Sequence, residues 1–448
     1  MNKEIKQAKN FLIFNHYFPP IKSIACTRNF NLANELAKSG HNVIVFSRKN
    51  KSAFPADNSF NINEKKIKVV RVFAFDKLNI LNIVKKLKAN KKESKNEKTD
   101  NKASSKNSSL KRLLDNLLNS FPFNLILGIG GFFYIIFSII KALKYIKKTD
   151  VIISSFPPYS DHVIANILSR FNKKTVWLAD FRDPHIAGTA DNIIMPKVQH
   201  FFNKQILKKA DFATVVSEGY KKTIEKFYKN IQIVSNGIST DLLQTNKSNI
   251  RKKFAISYTG ILYEGKRIPL ILFEALKELI NENKISETDV ELAFAGPDKD
   301  CKMWEQYINE YELQKISVVH GYVSRNKSIE IQRQSCINLL LTWSSKDAKG
   351  FLTGKFYEYI SSGNPVIVHI NGIADKEIDD LVNQLNAGIV VLSNKDYKEN
   401  LKQFILKLYD SWQKTGTLNW SYNTEAVKEL TWPVLSRKIV SIVSNSKK

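Results

Sequence analysis

Short runs of apolar residues alternate with amphipathic stretches along most of the chain. Stretches such as residues 28–38 place apolar side chains at i, i+3 and i+4, which predicts helices. The apolar runs between them predict buried strands of a parallel sheet, because strand–helix alternation is typical of an α/β fold. In the first half these runs lie at residues 11–15, 43–46, 67–75, 150–155, 175–179, 212–216 and 231–235.

The same alternation restarts after a polar stretch at residues 241–252, which predicts a linker. The chain is therefore predicted to hold two Rossmann-like, doubly wound domains, at residues 1–245 and 246–415. Residues 416–448 are predicted to form helices that pack back towards the first domain. The strands of the second half are predicted at residues 254–259, 290–295, 316–320, 337–342, 365–369 and 388–391.

Two segments interrupt this pattern. Residues 85–109 are rich in Lys, Asn, Ser and Glu, which predicts a disordered insertion. Residues 121–140 are nearly free of charge and long enough to be a transmembrane candidate, but a span would separate strands of one sheet. A helix that dips into one leaflet, a re-entrant hairpin and a buried helix all remain open, and the cationic flanks favour a membrane-contact helix.

Composition narrows the function classes. A net charge of +27 over 448 residues suits nucleic acid, an anionic membrane surface or phosphorylated substrates. No helix-turn-helix or RNA-recognition signature occurs, so nucleic acid is the least favoured partner. A Gly-x-Gly-x-x-Gly fingerprint is also missing, which disfavours a standard NAD site. The three cysteines are far apart and offer neither metal-ligand spacing nor thiol chemistry, and the start lacks a signal-peptide layout.

The most informative stretch is residues 350–369, which predicts a glycine-containing loop, a short helix and a buried strand. Thr353 or Gly354 stands at the predicted N-cap, where free amides and the helix dipole create an anion site. Lys355 adds a cation. Glu358 lies one turn further on, where a carboxylate can accept two hydrogen bonds from a ribose diol. An ordinary αβ unit with a solvated Glu358 is the alternative interpretation.

Other candidates follow strand ends. Gly260, Lys266 and Arg267 lie in a loop that can approach and neutralise a diphosphate. Residues 180–184 place two carboxylates and an arginine after a buried strand, where α/β sheets form their crevices. His162 is the histidine that we favour as functional. The Asp-x-Asp pair at residues 298–300 follows a Gly-Pro turn and is interpreted as a helix cap rather than a metal site.

Several separated motifs resemble glycosyltransferase family 4, the retaining GT-B enzymes of bacterial surface-polysaccharide assembly. The resemblance covers nearly the whole chain except residues 85–109. It rests on HYFPP at 16–20 with Arg28 and GHNV at 40–43, FPP at 156–158 with His162, DFRDP at 180–184, VSEG at 216–219, NGI at 236–238, YTG at 258–260 with YEG at 263–265, KFYEY at 355–359 and GNP at 363–365.

The resemblance implies a cleft between two Rossmann-like domains, with the nucleotide-sugar donor bound to the second and the acceptor to the first. Glu358 is then expected to hold the ribose, while Lys266, Arg267 and the amides near Thr353 and Gly354 neutralise the diphosphate. The loop at Gly321, Tyr322 and Val323 is expected to frame the base. Asp180, Arg182 and His162 are expected to approach the sugar or the acceptor. No metal or other cofactor is expected, and the transferred group is hexosyl or N-acetylhexosaminyl.

The resemblance also implies a lipid-linked glycan acceptor and therefore a cytoplasmic protein, peripheral on the inner face of the membrane. Residues 121–140 are the predicted contact with an anionic membrane surface. One departure keeps alternatives open, since Gly350 stands where the family has the first of two glutamates eight positions apart. A catalytically inactive GT-B scaffold of a polysaccharide-assembly complex and a GT-B nucleotide-sugar epimerase are the alternative functions.

Overall fold

The computed structural model describes most of the chain, in two compact units. One unit comprises Met1–Val234 with Ser436–Lys448, and the other comprises Ser235–Leu435. The domain limits drawn from the sequence stay predictions. The residues described are 8–21, 23, 25–49, 56–57, 59–60, 62–63, 65–77, 79–80, 83, 113, 116–182, 194–240, 250–263, 265, 267–346, 349–350, 353–394 and 396–446.

The first unit is built on a seven-stranded parallel sheet with the order β3-β2-β1-β4-β5-β6-β7. The order reverses between β1 and β4, which is the switch point where doubly wound sheets open a crevice. All seven predicted strands are present. Their bounds are β1 Asn10–Phe14, β2 Asn42–Arg48, β3 Ile67–Val72, β4 Val151–Phe156, β5 Val176–Phe181, β6 Phe212–Val215 and β7 Ile231–Ile233.

The helices of this unit pack through their apolar faces. In the first helix, Phe30, Ala33, Leu36 and Ala37 are buried, and Gly40, just after its end, has φ +89°. A positive φ suits glycine because a Cβ is disfavoured there. The helices are α1 Ala25–Lys38, α2 Phe123–Ile126, α3 Phe132–Ile146, α4 Tyr159–Leu168, α5 Pro196–Leu207 and α6 Glu218–Ile224.

The segment at residues 121–140, for which the sequence left a single helix and a hairpin open, forms the separate helices α2 and α3. The chain turns between them at Gly128, Gly130 and Gly131. Gly130 has φ +69°, and a Cβ at Gly128 would overlap the backbone of Asn124. Within the described parts of the chain, no helix combines the length and the apolar character needed to cross a bilayer. The predicted insertion at 85–109 lies outside the described residues.

The second unit is built on a six-stranded parallel sheet with the order β10-β9-β8-β11-β12-β13, which reverses between β8 and β11. All six predicted strands are again present. They are β8 Phe254–Thr259, β9 Val290–Ala295, β10 Ser317–Val319, β11 Ile337–Ser344, β12 Val366–Gly372 and β13 Gly388–Leu392. The helices of this unit are α7 Leu270–Asn281, α8 Asp298–Glu310, α9 Arg325–Gln334, α10 Gly354–Ser361, α11 Lys376–Leu385, α12 Asp396–Thr415 and α13 Thr424–Glu429. The last helix, α14 Trp432–Ser444, begins in this unit and belongs to the first unit from Ser436 onward.

The central strands of this sheet are buried on both faces. Leu339 and Leu341 belong to one hydrophobic cluster, whereas Leu340 between them belongs to the other. Successive side chains of a strand point to opposite faces, so helices must cover both sides of the sheet. This two-sided burial explains why the strands are continuous apolar runs in the sequence.

Candidate functional site

Three strands of the second unit end in glycines that bring their backbones close together. Gly260 follows β8, Gly296 follows β9, and Gly321 lies beyond β10. The Gly260 amide donates to the Ala295 carbonyl at 2.9 Å, and the Gly296 amide donates to the Gly321 carbonyl at 3.0 Å. A Cβ at Gly296 would lie 2.5 Å from the Gly260 carbonyl oxygen. At Gly296 only glycine permits this approach.

Helix α10 begins at this same edge. Thr353 is its N-cap residue, but its side chain makes no capping hydrogen bond, and the buried Oγ1 finds no partner in the described parts of the chain. A Cβ at Gly354 would meet no atom within 4 Å. The start of the helix therefore faces open space with its partial positive charge, which is the arrangement that binds anions.

Lys355 connects α10 to the end of β8. Its ammonium donates to the Thr259 carbonyl, immediately before Gly260. Burial lowers the pKa of Lys355, while the neighbouring Glu358 carboxylate raises it and Arg267 lowers it further. The three predicted charged residues Lys355, Glu358 and Arg267 therefore lie near one another.

Glu358 is held in a polar cluster at the same place. Its Oε1 accepts from Gln332 Nε2 at 2.8 Å, and its Oε2 lies 3.6 Å from an Arg325 guanidinium nitrogen. Gln332 Nε2 also donates to Thr259 Oγ1 at 2.9 Å. The Glu358 side chain keeps 21% of its surface exposed. The carboxylate is thus oriented by the protein while remaining accessible, as a ribose-binding group requires.

Gln332 and Arg325 were not identified from the sequence. They lie on α9 and reach Glu358 only because β8 and β11 are neighbours in the sheet. Gln332 Oε1, Ser344 Oγ at the end of β11 and Asn371 Nδ2 near the end of β12 are buried and have no hydrogen-bond partner within the described ranges. These three atoms retain hydrogen-bonding capacity that the described residues do not use.

The loop predicted to bind diphosphate is only partly described. Arg267 stacks its guanidinium over the Tyr263 ring at 4.0 Å, and Tyr263 has φ +52°. Lys266 lies outside the described residues. In the loop predicted to frame the base, Tyr322 is 62% exposed, Gly321 has φ +69°, and Val323 is half-buried.

Gly350 shows what replaces the glutamate that the family resemblance leads one to expect. It has φ +73°, and its amide donates to Asp375 Oδ2 at 2.6 Å. Asp375 also caps α11 through the Glu377 amide. Gly350 is thus held by the N-cap residue of α11, and it presents no carboxylate at this position.

In the first unit, Asp180 is buried in an ion pair with Arg28. Two guanidinium nitrogens of Arg28 donate to the two Asp180 oxygens at 3.0 and 2.8 Å, and Thr214 Oγ1 donates to Oδ1 at 2.8 Å. Burial alone would raise the pKa of Asp180, but Arg28 and the hydrogen bonds hold it below its usual value. The carboxylate is therefore charged, but only 1% of its surface is exposed.

Arg182 continues from the same strand. Its guanidinium donates to the carbonyls of Ala25 at 3.0 Å and Pro157 at 2.7 Å, and it lies 5.5 Å from the centre of the Tyr17 ring. These contacts join the segments that follow β1, β4 and β5. Asp183 lies outside the described residues, and the catalytic roles of Asp180 and Arg182 stay predictions.

His162 is enclosed by aromatic rings in the first turn of α4. Trp177 Nε1 donates to Ser154 Oγ at 2.8 Å, and Ser154 Oγ lies 2.7 Å from His162 Nδ1. Ser154 Oγ thus bridges the Trp177 indole and the His162 ring. Burial lowers the pKa of His162 to about 3, so the ring is neutral at pH 7. His162 is therefore a buried, neutral imidazole rather than a charged catalyst.

A second buried polar network lies where β1, β2 and α4 meet. The Asp161 carboxyl accepts from the His16 amide at 2.9 Å and from the Tyr134 hydroxyl at 3.0 Å. Arg48 pairs with Asp76 at 3.0 Å, and both side chains are fully buried. Burial is the main cause that raises the pKa of Asp161 to about 7 and lowers that of His16 well below 6.5. From the sequence, His16 was identified only as part of the HYFPP motif at residues 16–20.

No cluster of three or more His, Cys, Asp or Glu side chains suited to a metal occurs among the residues that the structure describes. In the Asp-x-Asp pair, Asp300 is buried and accepts the Leu262 amide at 3.2 Å. It therefore braces the loop after β8. Within the second unit, the structure thus brings Gly260, Arg267, Lys355 and Glu358 towards one sheet edge.

Two Rossmann-like units with parallel sheets of seven and six strands define the GT-B fold. Among solved structures, the chain is similar to sucrose-phosphate synthase from Thermosynechococcus elongatus, with a TM-score of 0.59 and 13% identity over 97% of this chain and 98% of that one. It is also similar to the lipopolysaccharide outer core galactosyltransferase WaaB, with a TM-score of 0.53 and 14% identity over 98% and 100%.

A third similar structure is S. aureus TarM, solved as a mutant with fondaparinux, α-GlcNAc-glycerol and UDP. Its TM-score is 0.56, with 12% identity over 98% of this chain and 100% of that one. At these identities the likeness establishes the fold alone. No protein-family model and no curated protein sequence matches the chain.

Proposed function

We propose that this protein is a retaining glycosyltransferase that moves a hexosyl or N-acetylhexosaminyl group from a nucleotide-sugar donor to a lipid-linked glycan. The observation that carries the proposal is the open N-terminus of α10 beside Glu358, at the switch-point edge of the second unit. The solved relatives in fold add support, since sucrose-phosphate synthase, WaaB and TarM are glycosyltransferases.

The donor is proposed to bind with its diphosphate at the start of α10. The first amides and the helix dipole supply partial positive charge there, and Lys355 and Arg267 supply full charges. Glu358 accepts the two ribose hydroxyls, and Gln332 keeps its carboxylate in place through the 2.8 Å hydrogen bond. The loop at residues 321–323 lies beyond β10, where it can contact the base.

In the proposed reaction, the bond between the anomeric carbon and the diphosphate oxygen breaks as the acceptor hydroxyl forms a new bond to the same carbon. The acceptor attacks on the face from which the diphosphate leaves, so configuration is retained. The hydroxyl proton passes to the departing diphosphate. Fixed positive groups at the start of α10 stabilise the growing negative charge, so catalysis is mainly electrostatic and positional.

The acceptor is proposed to be a glycan on a lipid carrier in cell-surface polysaccharide biosynthesis. This places the protein on the inner face of the cell membrane as a peripheral protein. The motifs of the first half and its basic charge support this assignment. Asp180, Arg182 and His162 are proposed to act on the acceptor side.

Thermal unfolding with a panel of UDP, GDP, dTDP and CMP sugars tests the donor assignment. A ligand at about a hundred times its dissociation constant adds roughly 2.7 kcal/mol of stability. We expect one base class to stabilise the protein, Glu358→Ala to abolish this effect, and Glu425→Ala, at an exposed carboxylate of the same unit, to retain it. Stabilisation by no sugar nucleotide would contradict the proposal.

An inactive scaffold is the second candidate, and Gly350 favours it. Its backbone amide, bound to Asp375, stands where a sugar-contacting carboxylate is expected from the family resemblance. Donor binding without transfer to any lipid-linked glycan would support the scaffold. Conversion of the donor sugar to its epimer with release of free nucleotide, in the absence of an acceptor, would instead support a nucleotide-sugar epimerase.

A further inference from the structure

Helix α3 presents an apolar face to solvent. Its opposite side packs into the first unit through Tyr134, Ile135, Ser138, Ala142 and Ile146. The exposed residues recur at spacings that place them together on the remaining half of the helix surface. This apolar face of α3 consists of Phe132 (53% exposed), Phe133 (41%), Ile136 (37%), Phe137 (38%), Ile140 (59%) and Leu143 (40%).

Neighbouring segments enlarge the apolar face. The Phe73 ring, itself 43% exposed, lies 6.0 Å from the rings of both Phe133 and Phe137. Together with Lys141 these residues line a shallow groove of about 250 Å³. On the preceding helix α2, Phe123 and Ile126 are also 39% and 49% exposed. Contiguous exposed apolar surface of this kind marks an interaction site rather than an ordinary solvent face.

A cluster of lysines lies at the C-terminal end of the same helix. We call Lys68, Lys141, Lys144, Lys147 and Lys148 the lysine cluster. All five are exposed, and the ammonium groups of Lys68 and Lys144 both approach the Tyr145 ring, at 5.4 and 5.1 Å from its centre. The sequence from 116 to 149 contains no Asp or Glu. The fold therefore gathers positive charge from two elements without acidic residues on α3 to balance it.

A partner of this surface must contact the apolar face of α3 and the lysine cluster at the same time. A second protein would have to present an apolar patch beside a matching acidic one, and a second copy of this chain would bring its own lysine cluster instead of acidic groups. An anionic lipid surface supplies both parts, with acyl chains for the aromatic side chains and headgroups for the ammonium groups. The 15 residues of α3 suit a helix that lies in the interface, not one that crosses it.

We propose that the apolar face of α3 and the lysine cluster dock the first unit on an anionic lipid bilayer, with α3 in the plane of the headgroups. The Phe rings enter the upper acyl region, and the lysines stay at the level of the headgroups. This inference rests on the proposed function, because an acceptor on a lipid carrier requires the enzyme to reach the membrane surface. Docking itself is measurable without glycosyl transfer.

Co-sedimentation of the full chain with phosphatidylcholine vesicles, with and without phosphatidylglycerol, tests the proposal. We expect binding to anionic vesicles that weakens as salt is raised, since salt screens exposed charges. Phe132→Ser combined with Ile140→Ser should reduce the partition coefficient at least about tenfold. The control is Ile250→Ser, at an apolar residue of the second unit that is 78% exposed, and it should bind like the unchanged protein.

A lysine variant separates the two contributions. Lys144→Gln combined with Lys148→Gln should lower the affinity for anionic vesicles roughly fivefold per lysine, and leave any binding to neutral vesicles unchanged. Lys302→Gln, at an exposed lysine of α8, is the matched control. The four residues replaced in the two double variants are all exposed: Phe132, Ile140, Lys144 and Lys148. The near-UV circular dichroism of both double variants should therefore match that of the unchanged protein.

Equal binding to neutral and anionic vesicles, or anionic binding that neither double variant reduces, would overturn the proposal. A dimer that only Phe132→Ser with Ile140→Ser dissociates, with no vesicle binding, would assign the face to a second copy and would also overturn it. Sugar-nucleotide stabilisation measured on the same samples reports on the proposed function separately. If the unchanged protein binds the donor but not vesicles, the docking proposal is contradicted and the proposed donor site is not.

Discussion

Replacing Asp161 with Asn should change how the stability of the protein depends on pH. Asp161 is buried between the His16 amide and the Tyr134 hydroxyl, and burial raises its pKa from 3.8 to about 7. Between these values the folded protein keeps a proton that the unfolded chain releases. The stabilisation is therefore complete below about pH 4 and is lost as pH rises through 7.

The size of the effect follows from the shift. Each pH unit between the two pKa values changes the free energy of unfolding by about 1.4 kcal/mol, or about 4 kcal/mol over the whole interval. Asn resembles the protonated carboxyl, because its oxygen can accept from His16 and its amide can donate to the Tyr134 hydroxyl. The buried histidines, whose pKa values burial lowers, titrate with the opposite sign but do so in both proteins.

Urea unfolding of Asp161→Asn and the unchanged protein at a series of pH values measures this difference directly. We expect the unchanged protein to lose stability relative to the variant from about pH 4 to about pH 7. Asp379→Asn, at an exposed carboxylate of α11, is the matched control for the loss of one charge. A difference in the free energy of unfolding between Asp161→Asn and the unchanged protein that stays constant with pH would show that the Asp161 pKa is not raised in the folded protein.

Three further variants test other parts of the structure. Asp180→Asn leaves the buried Arg28 without its carboxylate and should cost about 3–5 kcal/mol in urea unfolding, and a loss below 1 kcal/mol would contradict this. Gly130→Ala should cost at least about 2 kcal/mol, since φ is +69° and a Cβ would overlap Ser160 Oγ, whereas Gly40→Ala, with φ +89° and free space, should cost less; equal losses would remove the steric argument. Thr353→Val should leave the ligand-free stability within about 0.5 kcal/mol, because Oγ1 has no partner among the described residues, yet weaken sugar-nucleotide binding about tenfold by calorimetry. Unchanged affinity would remove Thr353 from the site.

The sheets of both units were predictable from the sequence because their strands are buried on both faces. Two-sided burial turns each strand into an apolar run that local pattern detects. At residues 121–140 the apolar pattern left a single helix and a hairpin open, and the turn at Gly128 and Gly130 separates α2 from α3 in the structure. The cationic flanks favoured membrane contact, but the pattern alone did not decide between exposure and burial, since an apolar helix can face the core or a partner.

In the candidate site, too, some residues could be predicted from the sequence and others could not. Thr353, Lys355 and Glu358 share one helix start, so their proximity follows from helical spacing. Gln332 contacts Glu358 from 26 positions away and Thr259 from 73 positions away, and these contacts depend on the strand order around β8. Arg28 and Asp180, separated by 152 positions, meet for the same kind of reason. Sequence spacing contains no information on such pairs until the topology is known.

Hydrogen–deuterium exchange with and without the stabilising sugar nucleotide tests the central claim most directly, because it locates the ligand. We expect slower exchange in the peptide that covers the start of α10, from Thr353 onward, and in the peptide around Gly260. Glu358→Ala should lose this protection at the same ligand concentration. Protection confined to the first unit, or unchanged exchange at the start of α10 under saturating ligand, would contradict the account.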